Sequence, residues 1–370
     1  MQVERDAGVK RDAALDGLRG VAILLVVVDH LSYFLVPQFA NRLLPGGFVG
    51  VDVFLVLSGF LITRLLIEEH HRSRSINFIG FYRRRAWRLL PALGVYVCAQ
   101  ISYTLIVFRP GAGQDLLAAI AALFFVGNMS PYMGVAVPFT LAQMWSLGVE
   151  EQFYLVWPAV LMLVLPRGRA AVKVMLVALG FASLLITTVL SHQGHSLSLL
   201  YSQPEVRAVQ LVVGAAIAVA VEAGWTPSRG LQRGAWLAVA FLAWFAMTGR
   251  AVAPWLYEGG FGVIAVAAGW VLVAGLYPAP SILRRLLEIG VLRKIGLISY
   301  SVYLWHPLIF AVTVREIPQN DTWGRLVCGL GVVTLISVGS YRYVELPGRI
   351  RGRVRRQVRL EPAIGPRQPA

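Results

Sequence analysis

The chain has 370 residues, a formal net charge of +15, 57% hydrophobic and only 14% charged residues, and a mean hydropathy of +0.66. So apolar a composition excludes an ordinary soluble domain and identifies an integral membrane protein embedded in a lipid bilayer. The positive charge does not imply a nucleic-acid partner, because Lys and Arg fall in short clusters between apolar segments, where they act as topology signals.

About eleven apolar stretches follow in order, at roughly 17–36, 48–68, 89–108, 115–128, 145–165, 172–190, 206–223, 233–249, 256–277, 296–314 and 322–344. The stretch 115–128 is short. If it spanned the membrane, Arg167, Arg169 and Lys173 would fall on the outside, against the usual bias. It is therefore read as a re-entrant or interfacial helix. The expected fold is an all-α integral membrane bundle of about ten transmembrane helices plus that short helix, with both termini cytoplasmic.

In this arrangement the inner loops collect Arg83, Arg84, Arg85 and Arg88, then Arg167, Arg169 and Lys173, then Arg229 and Arg233, then Arg284, Arg285, Arg293 and Lys294. The outer loops keep scattered basic residues such as Arg42, Arg109, Arg250 and Arg315. Three parts are expected: a cytoplasmic N-terminal segment over 1–13 with no evident signal peptide, a membrane domain over 14–347, and a basic cytoplasmic tail over 348–370. The tail reads as a flexible segment near anionic headgroups. Cys98 and Cys328 lie far apart in apolar segments and read as small packing residues, with no disulfide or metal site implied.

Ionisable groups inside apolar spans are costly and therefore mark candidate sites. The first span carries Arg19, Asp29 and His30 in LDGLRGVAILLVVVDH, with ten residues between Arg19 and His30. A rise of about 1.5 Å per residue sets these two about 16 Å apart along the helix. The second span carries Asp52 and Ser58 in GVDVFLVLSGFLIT, and the fifth stretch carries Glu150, Glu151 and Tyr154 in WSLGVEEQFYLVWP. Asp52 and Glu151 are expected beside His30, where a carboxylate would orient a neutral imidazole for work as a general base. His306 precedes Pro307 in ISYSVYLWHPLIF and weighs equally as a packing residue. The run FYRRRAWRLLPAL supplies guanidinium groups suited to phosphates, although a cluster at this position also serves topology. His192 and His195 read as loop residues. No nucleophile elbow, phosphate-binding glycine loop or dinucleotide fingerprint occurs.

These segments, in this order, resemble acyltransferase family 3, bacterial membrane O-acyltransferases that modify surface polysaccharides, Nod factors and macrolide antibiotics. Arg19 and His30, the GVDVFLVLSGFLIT block, Arg85-x-x-Arg88, Glu151-x-x-Tyr154 and His306 carry the resemblance, and Arg207 and Gly214 in EVRAVQLVVGAAIA echo it more weakly. Asp29 departs from the pattern, where tyrosine is more usual. Many members also carry a fused extracytoplasmic hydrolase-like domain, whereas these 370 residues hold a membrane core.

The resemblance implies a multi-pass enzyme of the inner (plasma) membrane with His30, Asp52, Glu151, Tyr154 and His306 as catalytic residues. Arg19, Arg85 and Arg88 would bind the phosphates of acetyl-CoA or another short acyl-CoA, the donor substrate. The acceptor would be a hydroxyl of a carbohydrate or glycoside. His30 would either deprotonate that hydroxyl or carry the acyl group itself, with Asp52 or Glu151 fixing its tautomer. No metal or bound cofactor is expected, since a thioester is already activated. A separate extracytoplasmic transferase is a possible partner. The rival readings are a proton-coupled transporter or flippase for a glycoconjugate, using His30, Asp52 and Glu151 as a relay, and a non-catalytic scaffold.

Overall fold

The structure, a computed structural model, describes residues 12–34, 43–107, 112–277 and 281–357. Most of the predicted N-terminal segment, the tail beyond 357, Arg42 and Arg109 lie outside the described residues. Among the described residues the regular structure is entirely helical. Long runs of Val, Leu, Ile, Ala and Phe leave the backbone to satisfy itself within each segment, which in hydrocarbon favours helices.

In chain order the helices are α1 (Ala13–Phe34), α2 (Val49–Ser73), α3 (Phe78–Val107), α4 (Ala112–Leu123), the short α5 (Phe139–Ala142), α6 (Met144–Val164) and α7 (Arg169–His192). There follow the short α8 (Leu197–Leu200), α9 (Pro204–Glu222), α10 (Arg229–Thr248), α11 (Phe261–Leu276), α12 (Ile282–Leu287), α13 (Gly290–Leu297), α14 (Ser299–Glu316), α15 (Thr322–Ser340) and α16 (Leu346–Gln357).

Seven helices among the described residues are long and apolar enough to cross a membrane, and eight if α13 and α14, bent by 72° at Ile298, form one span. The helices α1 and α10 have 22 and 20 residues, and α1 is made more polar by Asp16, Arg19 and Asp29. The 12 residues of α4 reach only about 18 Å, well short of a ~30 Å hydrocarbon core. Large apolar side chains stand exposed on the outward faces, among them Val177 and Phe181 on α7, Leu237 on α10 and Leu335 on α15. A bilayer accommodates such faces and water does not. The protein is a multi-pass membrane protein.

The centre of the bundle is α2, which packs most extensively on α9 and also touches α1, α6 and α11. Glycines make that approach possible. A Cβ at Gly59 would lie 2.0 Å from the Leu211 carbonyl oxygen, and one at Gly214 would lie 2.0 Å from that of Val56. Small residues at a crossing let two backbones meet, which is how membrane helices gain packing energy where no hydrophobic driving force acts between them.

Two local expectations change. Residues 348–357, read from sequence as the start of a flexible tail, belong to the helix α16, which folds back on α3 so that Gly348 rests near the Trp87 carbonyl. Cys98 and Cys328 are exposed on α3 and α15 rather than packed in the core.

Candidate active site

Two cavities lie between α1, α2, α6 and α14. The first, of about 170 Å³, is lined by Arg19, Ser58, Arg85, Arg88, Glu150 and Tyr154, among others. The second, of about 530 Å³, is lined by Asp29, His30, Gln143, Trp145, Tyr201 and Arg250, among others. Val51 and Tyr303 line both, so the two cavities abut at these side chains.

The arginine cavity is tied together by side chains of α3 and α6. The Arg85 Nε donates to both carboxylate oxygens of Glu151, at 2.8 and 2.7 Å, and its Nη2 also donates to Glu151. The guanidinium carbon lies 3.3 Å from the centre of the Tyr154 ring, so Arg85 is held by charge on one partner and by a π face on the other. Tyr154 donates to Glu150 at 2.6 Å, and Ser58 donates to the same carboxylate oxygen. Arg19 pairs with Asp16 at 3.5 Å.

Arg88 is different. It makes no hydrogen bond with a described residue, and its Nε is buried without a partner. That atom is one of several buried polar atoms among the described residues that have no partner, and it lies at a residue that lines the cavity.

The histidine cavity brings two spans together. The His30 and His306 rings have centroids 5.0 Å apart at 60°. Each ring places Nδ1 2.9 Å from the carbonyl oxygen four residues before it, Val26 for His30 and Val302 for His306. A neutral imidazole bonded this way carries its proton on Nδ1 and presents Nε2 as a lone pair, the form a base requires. The His306 Nε2 is buried without a partner. Between the cavities, Tyr303 donates to the Gln143 carbonyl at 2.7 Å and also bonds Ser146.

The sequence reading of the acids is corrected here. Asp52 does not meet His30: it accepts from Arg207 at 3.0 Å and from Gln210 at 2.7 Å, and joins α2 to α9. Asp52 and Arg207 are both fully buried, and Arg207 lies 4.0 Å from the Tyr201 ring centre and 5.0 Å from that of Trp145. Glu151 also does not meet His30, because Arg85 holds it at the arginine cavity. Along α6 it lies eight residues beyond Gln143, about 12 Å at 1.5 Å per residue. Arg19, Arg85 and Arg88, expected together at the donor, line one cavity, and Tyr154, read from sequence among the catalytic residues, lines that cavity with them rather than the one at His30. His306 packs its ring against His30, which lines the other.

Glu345, fully buried, was missed by the sequence reading. It accepts from Ser301 at 2.8 Å and pairs with Arg349. It lies just past the end of the last apolar stretch, so the rule that singled out the other intramembrane acids would have found it one residue further on. Among the described residues, no three His, Cys, Asp or Glu side chains gather where they could hold a metal ion.

The bundle thus sets a guanidinium cluster at one cavity and an imidazole pair beside the next. A family model described as an acyltransferase domain matches residues 12–342, and the chain belongs to that family. The chain is similar to the peptidoglycan O-acetyltransferase OatA of Listeria monocytogenes, 32% identical over 362 residues that cover 92% of this chain and 56% of the relative. It is also similar to the O-acetyltransferase OatA of Staphylococcus aureus, 31% identical over 360 residues, 91% of this chain and 57% of the relative. The chain thus spans little more than half the length of these relatives. No solved structure matches. The transporter or flippase reading draws no support from these similarities.

Proposed function

We propose that the protein transfers an acetyl or other short acyl group from acyl-CoA, bound at the arginine cavity, to a carbohydrate hydroxyl bound at the histidine cavity. The observation that carries this reading is the pairing of an unpartnered Arg88 on one side of Tyr303 with the His30–His306 pair on the other. The relatives' names make a peptidoglycan glycan the first acceptor to offer.

The arginine cavity, at about 170 Å³, is below the roughly 300–1,000 Å³ of sites that enclose a small molecule. The phosphates of the donor would therefore stay at its mouth on Arg88 and Arg19, with Arg85 locked in place by Glu151, while the pantetheine arm carries the thioester towards Tyr303. At the histidine cavity His30 Nε2 takes the acceptor's hydroxyl proton as the oxygen attacks the thioester carbonyl. The carbon–sulfur bond breaks, CoA leaves as a thiolate, and the imidazolium returns a proton to it. His306 lies close enough to steer that imidazole. The two bound ends supply proximity, the largest contribution to a reaction between activated partners.

The reading includes ten spans, formed by the eight above with α1 and α10, and both termini on the cytoplasmic side of the inner (plasma) membrane. The Arg-rich segments at 83–88, 167–173, 229–233 and 284–294 then share the cytoplasmic face, and the arginine cavity opens toward the compartment that holds acyl-CoA.

The test is CoA release by purified protein supplied with acetyl-CoA and soluble glycan fragments. Wild type should release CoA in an acceptor-dependent way, and His30→Ala should be slower by about 10²–10⁴-fold. Acetylated soluble fragments would make a second, extracytoplasmic transferase unnecessary. A burst of CoA without acceptor would instead assign His30 an acyl-carrying role. Proton flux that depends on His30, with no CoA released from any donor, would return the protein to the transporter reading.

A further inference from the structure

The histidine cavity includes a cation that the chemistry at His30 leaves unused. Arg250, an exposed residue in the segment between α10 and the π-helical turn Leu256–Gly260, lines that cavity, and its side chain has no hydrogen bond or ion pair with any described residue. The other charged or titratable groups lining it are Asp29, His30, Tyr201 and Tyr303. Asp29 forms no ion pair with Arg250, so no acid among the described residues neutralises this guanidinium.

The remaining lining is suited to a sugar ring. Trp145 and Tyr201 stand edge to face with centroids 5.0 Å apart, and the guanidinium of the buried Arg207 lies 5.0 and 4.0 Å from their ring centres. Aromatic rings present flat apolar surfaces to the C–H face of a pyranose, while Asp29 and the Gln143 amide offer partners to its hydroxyls. A volume of about 530 Å³ lies inside the range of small-molecule sites, roughly 300–1,000 Å³.

We infer that the histidine cavity takes a glycoside acceptor bearing an anionic group, a carboxylate or a phosphate, and that Arg250 is the residue that selects it. The planar guanidinium fork matches either anion in two-point contact. This inference rests on the acyl-transfer reading, which makes the cavity an acceptor site.

Binding to protein in phosphatidylcholine nanodiscs tests it, with three probes of one ring type: methyl β-glucoside, methyl β-glucuronide and methyl β-glucoside 6-phosphate. Wild type should bind at least one anionic probe about tenfold more tightly than the neutral one. Which of the two it prefers assigns the group as carboxylate or phosphate. Arg250→Gln should bind all three alike, with its affinity for the neutral glucoside and for acetyl-CoA unchanged. Equal binding of the three probes by wild type, or a preference that survives in Arg250→Gln, overturns the inference. So does the absence of saturable binding by any probe. Repeating the titration with phosphatidylglycerol discs separates the sources: loss of the preference there would assign Arg250 to lipid headgroups. Acetyl-CoA binding on the same samples keeps the two readings apart, since donor binding without sugar-charge preference refutes only the role of Arg250, and loss of donor binding refutes the transferase.

Discussion

Replacing Asp52 with Ala isolates the role the structure gives to that carboxylate. Asp52 and Arg207 are both fully buried, and the guanidinium is enclosed by Tyr201, Trp145 and Phe261 rings at 4.0, 5.0 and 4.1 Å. Removing the carboxylate leaves a cation in the protein interior without its counter-charge, a loss of about 3–5 kcal/mol. The Gln210 amide loses its acceptor as well, at about 1 kcal/mol. Together these should lower the apparent melting temperature by several degrees, read from the fluorescence of the chain's 10 tryptophans in detergent. The paired variant Asp52→Leu with Arg207→Met removes both charges and fills similar volume, so it should recover most of the loss. If Asp52→Ala melts with wild type yet releases no CoA, the structural role assigned here is wrong and the carboxylate acts in the chemistry.

Further predictions address the cavities and the helix crossing. Arg88→Lys keeps the charge but loses the fork, and should raise the KM for acyl-CoA about tenfold with kcat little changed, measured by initial rates of CoA release. Glu151→Gln frees Arg85 from its strongest partner and should raise the donor KM as well, whereas a fall in kcat alone would argue for contact with the reacting atoms. Tyr303→Ala joins the two cavities and should increase CoA release in the absence of any acceptor, because water then reaches the thioester. Gly214→Ala places a methyl group 2.0 Å from the Val56 carbonyl oxygen, and should cost about 1–3 kcal/mol in the melting assay.

The elements that formed without ambiguity were those set by composition. Unbroken apolar runs dictated helices at α2, α3, α7, α9 and α11, and the stretch 115–128, read as too short to span and as placing Arg167, Arg169 and Lys173 on the wrong side if it did, falls largely in the 12-residue α4 at 112–123. The gathering of Arg19, Arg85 and Arg88 was also legible, since all three carry groups too polar for lipid, whereas Tyr154, read with the residues at His30, joins the arginines instead. Asp52 and Glu151 were misplaced because depth along a helix can be counted from sequence, but the direction a side chain faces depends on which neighbour it meets. Asp52 turns toward α9, where Arg207 supplies the opposite charge; Glu151 turns toward α3, where Arg85 does. The basic tail misled for a related reason: its charge suggested exposure, while the small Gly348 let it pack on α3 and bring Arg349 to Glu345.

The thin partition of Val51 and Tyr303 also matters to the cell as a whole. A membrane that stores a proton gradient tolerates no open pore, and an acyl group is only a few atoms long. On the acyl-transfer reading, a septum one side chain deep would let a fragment of that size pass between the cavities while the bulky carriers remain where they are. Transfer proposed in this way would require no rocking of the whole bundle, which would distinguish it from transport by alternating access.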